Sequence, residues 1–203
     1  MTAAATILEM PTTHKQRSKQ PQAQARVTVE RVVLTGFMGS GKSTVGAQLA
    51  EKLGWEFLDL DSEIERRCGL TVPAIFAELG ETHFRKQEAA ALASILGRKH
   101  VVIALGGGAP ETLGNRLLLE QTPATAVVFL EAPFAVLLGR CEEQAAQPDA
   151  TARPVLADRD QAQARFNTRQ RFYERIANLR LDTASLTPEG TVQTLLDRLR
   201  KRT

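Results

Sequence analysis

One short segment of the sequence has glycine, lysine and serine at the spacing of a phosphate-binding loop. Residues 36–43 are Gly-Phe-Met-Gly-Ser-Gly-Lys-Ser and match the pattern GxxxxGK[ST]. The glycines let the backbone curl so that successive N–H groups point inward, and a helix that begins at Lys42 adds the positive end of its dipole. The pattern predicts a cradle for nucleotide phosphates, formed by Gly39, Ser40, Gly41, Lys42, Ser43 and Thr44.

Two side chains of this loop are predicted to act directly on the nucleotide. Lys42 can reach the β- and γ-phosphates as a point charge, and the Ser43 hydroxyl is placed to ligate Mg²⁺. Thr44 can add a hydrogen bond lower in the cradle. A GTPase would carry an Asn-Lys-x-Asp signature after a later strand, and the sequence contains none. The nucleotide is therefore expected to be ATP.

Two carboxylates follow at the end of the next predicted strand. Residues 57–61 are Phe-Leu-Asp-Leu-Asp, which puts Asp59 and Asp61 at the carboxyl edge of a sheet, where open α/β sheets hold their ligands. A kinase needs an acidic group near Mg²⁺ and another to orient or deprotonate the acceptor hydroxyl. Either residue could instead cap a helix, and Asp61 is well placed to cap one at Ser62. We favour a functional role for the pair.

Arginines and glycines further along the chain have less specific patterns. Arg85 lies one helical turn before Glu88, which by itself favours a surface ion pair. The run Gly106–Gly108 follows a predicted strand and suits either contact between a ligand and the backbone or a flexible turn. Arg169 lies one turn before Tyr173, and its planar guanidinium suits a carboxylate, although most helix arginines only face solvent.

A proline-containing segment, residues 145–158, lies between two predicted helices and is predicted to be a mobile lid. It contains Pro148, Pro154 and mostly small or polar residues. Arg153 directly precedes Pro154. A cation there could neutralise phosphate charge when the lid closes over the nucleotide and excludes water.

The rest of the chain from residue 27 predicts the α/β elements that position these residues. Short β-branched runs alternate with helical stretches, which is typical of a parallel sheet covered by helices. Predicted strands are 31–35, 56–58, 101–105, 126–130 and 179–182. Predicted helices are 42–53, 61–68, 73–79, 83–96, 111–120, 133–142, 159–177 and 188–201.

Composition narrows the class of protein. A chain of 203 residues with 43% hydrophobic residues fits one globular domain. No apolar run reaches the roughly 18 residues that a spanning helix needs, so we expect a cytoplasmic protein without membrane contact. The net charge is only +3, and aromatic residues do not interleave its arginines, which argues against nucleic-acid binding. Cys68 and Cys141 are expected to be reduced thiols.

The first 26 residues differ from the rest. They are rich in Ala, Thr, Gln and Lys and show no sustained apolar period. They predict a disordered extension rather than an organelle-targeting segment, and residues 27–203 are expected to form the domain.

Taken in order, these motifs resemble those of the shikimate kinases. The resemblance extends from about Arg31 to Leu199 and includes the phosphate loop, FxDxD, GExxFRxxE, the glycine run, Arg-Pro and RxxxY. It implies an α/β, three-layer P-loop kinase fold like that of nucleoside monophosphate kinases, with a five-stranded parallel sheet in the order 2-3-1-4-5 and a mobile lid. It also implies transfer of the γ-phosphate of ATP to the 3-hydroxyl of shikimate, a step of chorismate and aromatic amino-acid biosynthesis, with Mg²⁺ as cofactor.

The resemblance assigns roles to individual residues. Asp59 would help to hold Mg²⁺ through water, beside Ser43, and Asp61 would bind the substrate hydroxyls. Residues implied to contact shikimate are Asp61, Arg85, Gly107 and Arg169. Residues implied to contact ATP outside the loop are Arg140, beside the adenine, and Arg153, and the catalytic set is Asp61, Lys42 and Arg153. Arg85 and Gly107 thus change from structural to functional candidates.

Two departures and two alternatives remain at this stage. The lid motif is Arg-Pro-Val-Leu where the family usually has Arg-Pro-Leu-Leu, and residues 144–152 form a longer approach than is typical. The chain could phosphorylate another small metabolite, such as gluconate or a nucleoside monophosphate. It could instead be a non-enzymatic P-loop protein that binds nucleic acid under ATP control. We favour a monomer that binds only the small molecules shikimate and ATP.

Overall fold

A computed structural model describes residues 28–146 and 158–201. The predicted extension at residues 1–26 lies outside these ranges. The same holds for Arg153 and for the predicted lid, apart from residues 145, 146 and 158 at its two ends.

Five parallel strands form a single sheet within the described ranges. The strands are β1 (Arg31–Thr35), β2 (Glu56–Asp59), β3 (Val101–Ala104), β4 (Thr125–Glu131) and β5 (Leu179–Asp182). Their spatial order is β2-β3-β1-β4-β5, which confirms the order 2-3-1-4-5. Asp59 pairs with Ala104, and Ala104 pairs with Leu34. The end of β2 therefore lies at the same edge of the sheet as the end of β1, where the phosphate loop begins.

The helices follow the predicted pattern with two interruptions. They are α1 (Lys42–Leu53), α2 (Leu60–Cys68), α3 (Val72–Ala74), α4 (Gly80–Leu96), α5 (Leu113–Gln121), α6 (Phe134–Ala145), α7 (Arg159–Ile176) and α8 (Pro188–Arg200). A π-helical segment, Ile75–Leu79, joins α3 to α4, and a 3-10 turn, Ala109–Glu111, precedes α5. The single helices predicted at 73–79 and 111–120 are therefore each divided. No helix in the described ranges is long and apolar enough to cross a membrane.

Apolar cores on both faces of the sheet make the fold three-layered. Strand side chains alternate between faces, so Val33 packs with one core while Val32 and Leu34 pack with the other. The first core contains residues from α2, α4 and α5, and the second contains residues from α1 and α8. All three β1 residues are fully buried, which anchors the phosphate loop to the rigid centre of the sheet.

Candidate active site

The phosphate loop depends on glycines whose backbone conformations disfavour side chains. Gly36, Gly39 and Gly41 have φ values of 148°, 75° and 87°. A β-carbon added to Gly39 would lie 2.4 Å from the carbonyl oxygen of Leu137 and 2.9 Å from Sγ of Cys141. Both of these residues belong to α6. Gly39 therefore lets α6 pack directly against the loop.

Replacing Gly39 by alanine is expected to displace either the loop or α6, because the nearest obstacle is a backbone carbonyl. We expect the free energy of unfolding to fall by about 2 kcal/mol. Binding of ATP should weaken at least about tenfold, which corresponds to roughly 1.4 kcal/mol. Chemical denaturation and titration calorimetry measure the two effects.

Gly139→Ala is the matched control, since a β-carbon on this α6 glycine would meet no heavy atom within 4 Å. It should leave ATP binding unchanged and stabilise the protein by up to about 1 kcal/mol. A Gly39→Ala variant that matched the parent in both measurements would contradict the close packing of α6 on the loop.

The six predicted cradle residues form the turn into α1 and its first residues. Nζ of Lys42 donates to the carbonyl oxygens of Gly36 at 2.9 Å and Phe37 at 3.0 Å, which holds the ammonium group against the loop. Ser43 and Thr44 are exposed, whereas the Ser40 side chain is 1% exposed. Ser40 therefore contributes to the inner packing of the loop rather than to its open surface.

Asp59 contacts the phosphate loop directly. Its Oδ2 accepts a hydrogen bond from the Ser43 hydroxyl at 2.8 Å. Its Oδ1 accepts the backbone N–H groups of Asp61 at 3.1 Å and Ser62 at 3.4 Å, so Asp59 is the N-cap of α2. The interpretation of Asp61 as a helix cap is therefore wrong, because α2 begins at Leu60, one residue earlier than predicted.

Asp61 lies in the first turn of α2 with its carboxylate against the glycine run. A β-carbon added to Gly106 would lie 2.5 Å from Oδ1 of Asp61, so only glycine permits this approach. Burial raises the pKa of Asp61 to about 6, and the negative charge of Asp59 adds to the effect, while Lys42 opposes it. A carboxylate that titrates close to neutral pH is suited to accept a proton from a bound hydroxyl.

Two arginines from distant parts of the chain converge on the same glycine run. A β-carbon added to Gly108 would lie 3.1 Å from Nη1 of Arg85 and 3.2 Å from Nη2 of Arg169. One added to Gly107 would lie 3.5 Å from Nη1 of Arg169. The structure thus brings together Arg85, Gly107 and Arg169, three of the residues that the sequence predicted for the acceptor.

Carboxylates hold both guanidinium groups in place. Nη1 of Arg85 pairs with Glu88 at 3.2 Å, and its Nη2 pairs with Glu81 at 3.1 Å. Nε of Arg169 pairs with Glu111 at 2.7 Å. The Glu88 side chain is only 1% exposed, so the Arg85–Glu88 pair is not the surface ion pair that helical spacing alone had favoured. Burial raises the pKa of Glu88 against the opposing charge of Arg85.

The glycine run is fixed by neighbouring side chains, which contradicts its interpretation as a flexible turn. The Tyr173 hydroxyl donates to the carbonyl oxygen of Gly107 at 2.7 Å. Tyr173 is 1% exposed, and burial raises the pKa of its hydroxyl, so the group remains a donor at neutral pH. The RxxxY spacing therefore places the arginine at the site and the tyrosine beneath it.

Helix α5 adds two residues, Asn115 and Arg116, that sequence reasoning did not identify. Asn115 donates to the carbonyl oxygen of Ala109 at 3.0 Å. Nη1 of Arg116 donates to the carbonyl oxygens of Pro110 at 2.6 Å and Glu111 at 2.8 Å. No motif marks these residues, since an Asn-Arg pair on a helix has no characteristic spacing. Their position shortly after the glycine run was the only signal available.

Arg140 lies on α6 and faces the connection between β5 and α8. Its Nη1 donates to the Thr183 hydroxyl at 3.2 Å, and its Nη2 donates to the carbonyl oxygens of Thr183 and, at 3.4 Å, Ala184. The guanidinium group is thereby fixed against the segment that joins β5 to α8, and α6 itself packs against the phosphate loop at Leu137. A role beside the adenine stays a prediction.

These features together define a class of protein. A phosphate loop between the first strand and first helix of a parallel sheet in the order 2-3-1-4-5, with helices on both faces, is the fold of a P-loop small-molecule kinase. The family model described as shikimate kinase matches residues 38–200. The chain belongs to the shikimate kinase family, whose members use ATP as co-substrate.

Individual relatives agree with this assignment. The chain is 35% identical to the shikimate kinase of Persephonella marina over 173 residues, covering 85% of this chain and 100% of the relative. It is 39% identical to the shikimate kinase of Bordetella pertussis over 169 residues, covering 83% of this chain and 77% of the relative. A solved structure of the Acinetobacter baumannii shikimate kinase in complex with shikimate has a TM-score of 0.75 at 34% identity. The match covers 87% of this chain and 96% of that one.

A gluconokinase from Sinorhizobium meliloti is more distant. Its structure has a TM-score of 0.55 at 20% identity, covering 87% of this chain and 94% of that one. This likeness concerns the fold alone.

Proposed function

We propose that this protein transfers the γ-phosphate of ATP to the 3-hydroxyl of shikimate and releases shikimate 3-phosphate and ADP. The observation that carries the proposal is that Arg85 and Arg169 both approach Gly108, the last residue of the glycine run, while Asp61 approaches Gly106, the first residue of the same run. This arrangement suits an acceptor with a carboxylate at one end and a hydroxyl at the other. A relative at 34% identity is described in complex with shikimate.

On the nucleotide side, the donor atoms fit a Mg²⁺ site completed by phosphate. Ser43 would supply a hard oxygen ligand, and Asp59, whose Oδ2 lies 2.8 Å from the Ser43 hydroxyl, would hold the ion through water. Mg²⁺ commonly takes one or two protein oxygens together with phosphate oxygens and water. When bound, Mg²⁺ would neutralise phosphate charge. Lys42 would move from the loop carbonyls to the β- and γ-phosphates, and the backbone of residues 39–44 would hold them. Arg140 would flank the adenine.

On the acceptor side, each residue has a separate task. Arg85 and Arg169 bind the carboxylate, and the N–H of Gly107 donates to the substrate while Tyr173 occupies the carbonyl oxygen of the same residue. Asp61 holds the 3-hydroxyl in line with the γ-phosphate and accepts its proton. The hydroxyl oxygen then forms the new P–O bond as the bond to the β,γ-bridging oxygen breaks and ADP leaves.

Arg85→Lys is expected to raise the KM for shikimate by roughly 10- to 100-fold and the KM for ATP by less than about twofold, because lysine keeps the charge but loses the planar fork. Steady-state kinetics with each substrate varied in turn measures both constants. Arg98→Lys is the matched control, since Arg98 pairs with Glu56 at the opposite edge of the sheet. Equal effects of Arg85→Lys on the two substrates would contradict the carboxylate-binding role.

A panel of acceptors separates the proposed function from its alternatives. The purified protein is incubated with Mg²⁺, ATP and, in turn, shikimate, gluconate or nucleoside monophosphates, and ADP release is followed. Of these acceptors, we expect only shikimate to give rapid turnover. Turnover with another acceptor and none with shikimate would overturn the proposal, as would salt-sensitive retention of nucleic acid without any acceptor phosphorylation. The cytoplasmic location and the monomeric state remain predictions.

A further inference from the structure

We infer that Asn115 is a positioning residue for the acceptor site, because its side-chain amide joins the glycine run to the carboxylate that holds Arg85. The inference rests on the proposed function, since it assigns Arg85 to the acceptor carboxylate. No sequence motif includes Asn115, and it lies too deep to touch a substrate, being 0% exposed.

A single NH₂ group makes both connections. Nδ2 of Asn115 donates to Oε2 of Glu88 at 3.1 Å and to the carbonyl oxygen of Ala109 at 3.0 Å. Glu88 belongs to α4, and Ala109 directly follows Gly108. The amide therefore fixes the distance between α4, which carries Arg85, and the glycine run, which Asp61 and Arg169 approach from α2 and α7.

The connection to α4 continues to the guanidinium group. Both carboxylate oxygens of Glu88 accept from Nη1 of Arg85, at 3.2 and 3.3 Å. Without the Asn115 amide, Glu88 loses the hydrogen bond that ties its carboxylate to α5, while its bonds to Nη1 of Arg85 remain. The carboxylate and the guanidinium group would then be free to shift together, away from Gly108. Glu81, whose side chain is 66% exposed, also pairs with Arg85 and would draw the guanidinium group outward.

Both acceptors of the amide belong to the site. Its NH₂ group donates to the carboxylate that pairs with Arg85 and to the backbone carbonyl that follows Gly108. Loss of the amide should therefore affect the position of Arg85 as well as stability.

Asn178 provides a matched control, because it forms the same kind of clamp away from the site. Its Oδ1 accepts from the N–H of Val127 at 3.1 Å, and its Nδ2 donates to the carbonyl oxygen of Thr125 at 3.2 Å. These atoms lie at the amino end of β4, at the opposite edge of the sheet. Asn178 is exposed, so its substitution removes these two side-chain hydrogen bonds with a smaller expected effect on Tm, and it leaves Arg85 unaffected.

The test compares Asn115→Ala with Asn178→Ala in the full-length protein. Both variants should have a lower Tm. Only Asn115→Ala should raise the KM for shikimate, by roughly tenfold, with the KM for ATP changed by less than about twofold. Asn115→Ser, which keeps one donor, should show an intermediate effect and serves in place of Asn115→Ala if that variant does not fold. A lower Tm with an unchanged KM for shikimate would overturn the inference.

A double-mutant cycle tests whether Asn115 acts through Arg85. In the Arg85→Lys background, Asn115→Ala should change the KM for shikimate by less than about twofold, since the fork that it positions is already lost. Fully additive effects would contradict action through Arg85.

A crystal structure of Asn115→Ala tests the positioning without any assay. Arg85 should have moved away from Gly108 while Arg169 stays in place, and an unmoved Arg85 would overturn the inference. This readout does not depend on turnover of shikimate. A failure of the proposed function, seen as an inactive parent protein, is thereby distinguished from a failure of the positioning role.

Discussion

Asp61→Asn is expected to lower kcat with shikimate by about 1,000-fold, because the amide can still accept a hydrogen bond from the acceptor hydroxyl but cannot take its proton. In the parent protein, kcat/KM for shikimate should fall below about pH 6, where Asp61 becomes protonated. The variant should lose this pH dependence. Steady-state kinetics between pH 5 and pH 8 measures both effects, and normal turnover by the variant would exclude an essential carboxylate at this position.

The same substitution should stabilise the folded protein above pH 6. The pKa of Asp61 is raised from 3.8 to about 6 on folding, so the folded state binds the proton more tightly than the unfolded state. This difference in pKa stabilises the folded protein below pH 4, and the stabilisation is lost as the pH rises to about 6. Above that pH the buried negative charge of Asp61 lowers the free energy of unfolding. Asn removes that cost, and we expect a gain of about 1–3 kcal/mol at pH 8 that disappears near pH 4.

Thermal unfolding at the two pH values measures this difference. A gain in stability together with a loss of activity would be the mark of a carboxylate kept at the site for its chemistry. A variant that is less stable than the parent protein at pH 8 would contradict the burial of a charged Asp61.

Lys42→Met is expected to lower kcat/KM for ATP by about 1,000-fold, because methionine keeps most of the length of the side chain but has no charge for the β- and γ-phosphates. Nζ of Lys42 also donates to two loop carbonyls, so the loop itself should become less ordered when no nucleotide is bound. Steady-state kinetics and titration calorimetry with ATP measure the loss. Lys52→Met, at the exposed end of the same helix, should have no effect, and similar results for both variants would contradict the assignment.

Local signals in the sequence were sufficient to predict most of the fold. The alternation of short β-branched runs with helices specified the parallel sheet, and every predicted strand end lies within one residue of its observed position. The sheet order itself came from the family resemblance rather than from any property of single strands. The phosphate loop was predictable because its glycines act through backbone conformation, which depends on a few adjacent residues.

Local sequence alone could not decide which of the two acidic residues, Asp59 or Asp61, caps α2. Asp59 and Asp61 both carry a side chain able to cap α2, and their spacing does not decide between them. The choice depends on β2 extending through Asp59 and on Leu60 being fully buried, which are consequences of tertiary packing. Asp59 thus caps α2 and contacts Ser43, whereas Asp61 contacts Gly106.

The acceptor site could be predicted only in part, since its arginines are 84 residues apart in sequence. Helical spacing favoured a surface pair for Arg85 because it contains no information on burial, and Glu88 is buried beneath α5. Asn115 and Arg116 donate to backbone carbonyls of the turn five or six residues before them, and such contacts leave no pattern in the sequence. The resemblance to a family identified the residues expected to contact substrate but not those that hold them.

The most direct test of the proposed function is a coupled assay with the purified protein, ATP, Mg²⁺ and shikimate, followed by NMR of the product. We expect one ADP for each shikimate consumed and a single phosphate ester at the 3-position, with negligible ADP release when shikimate is omitted. ATP hydrolysis that does not depend on shikimate, or a phosphate on a different hydroxyl, would contradict the arrangement of Asp61, Arg85 and Arg169 around the acceptor.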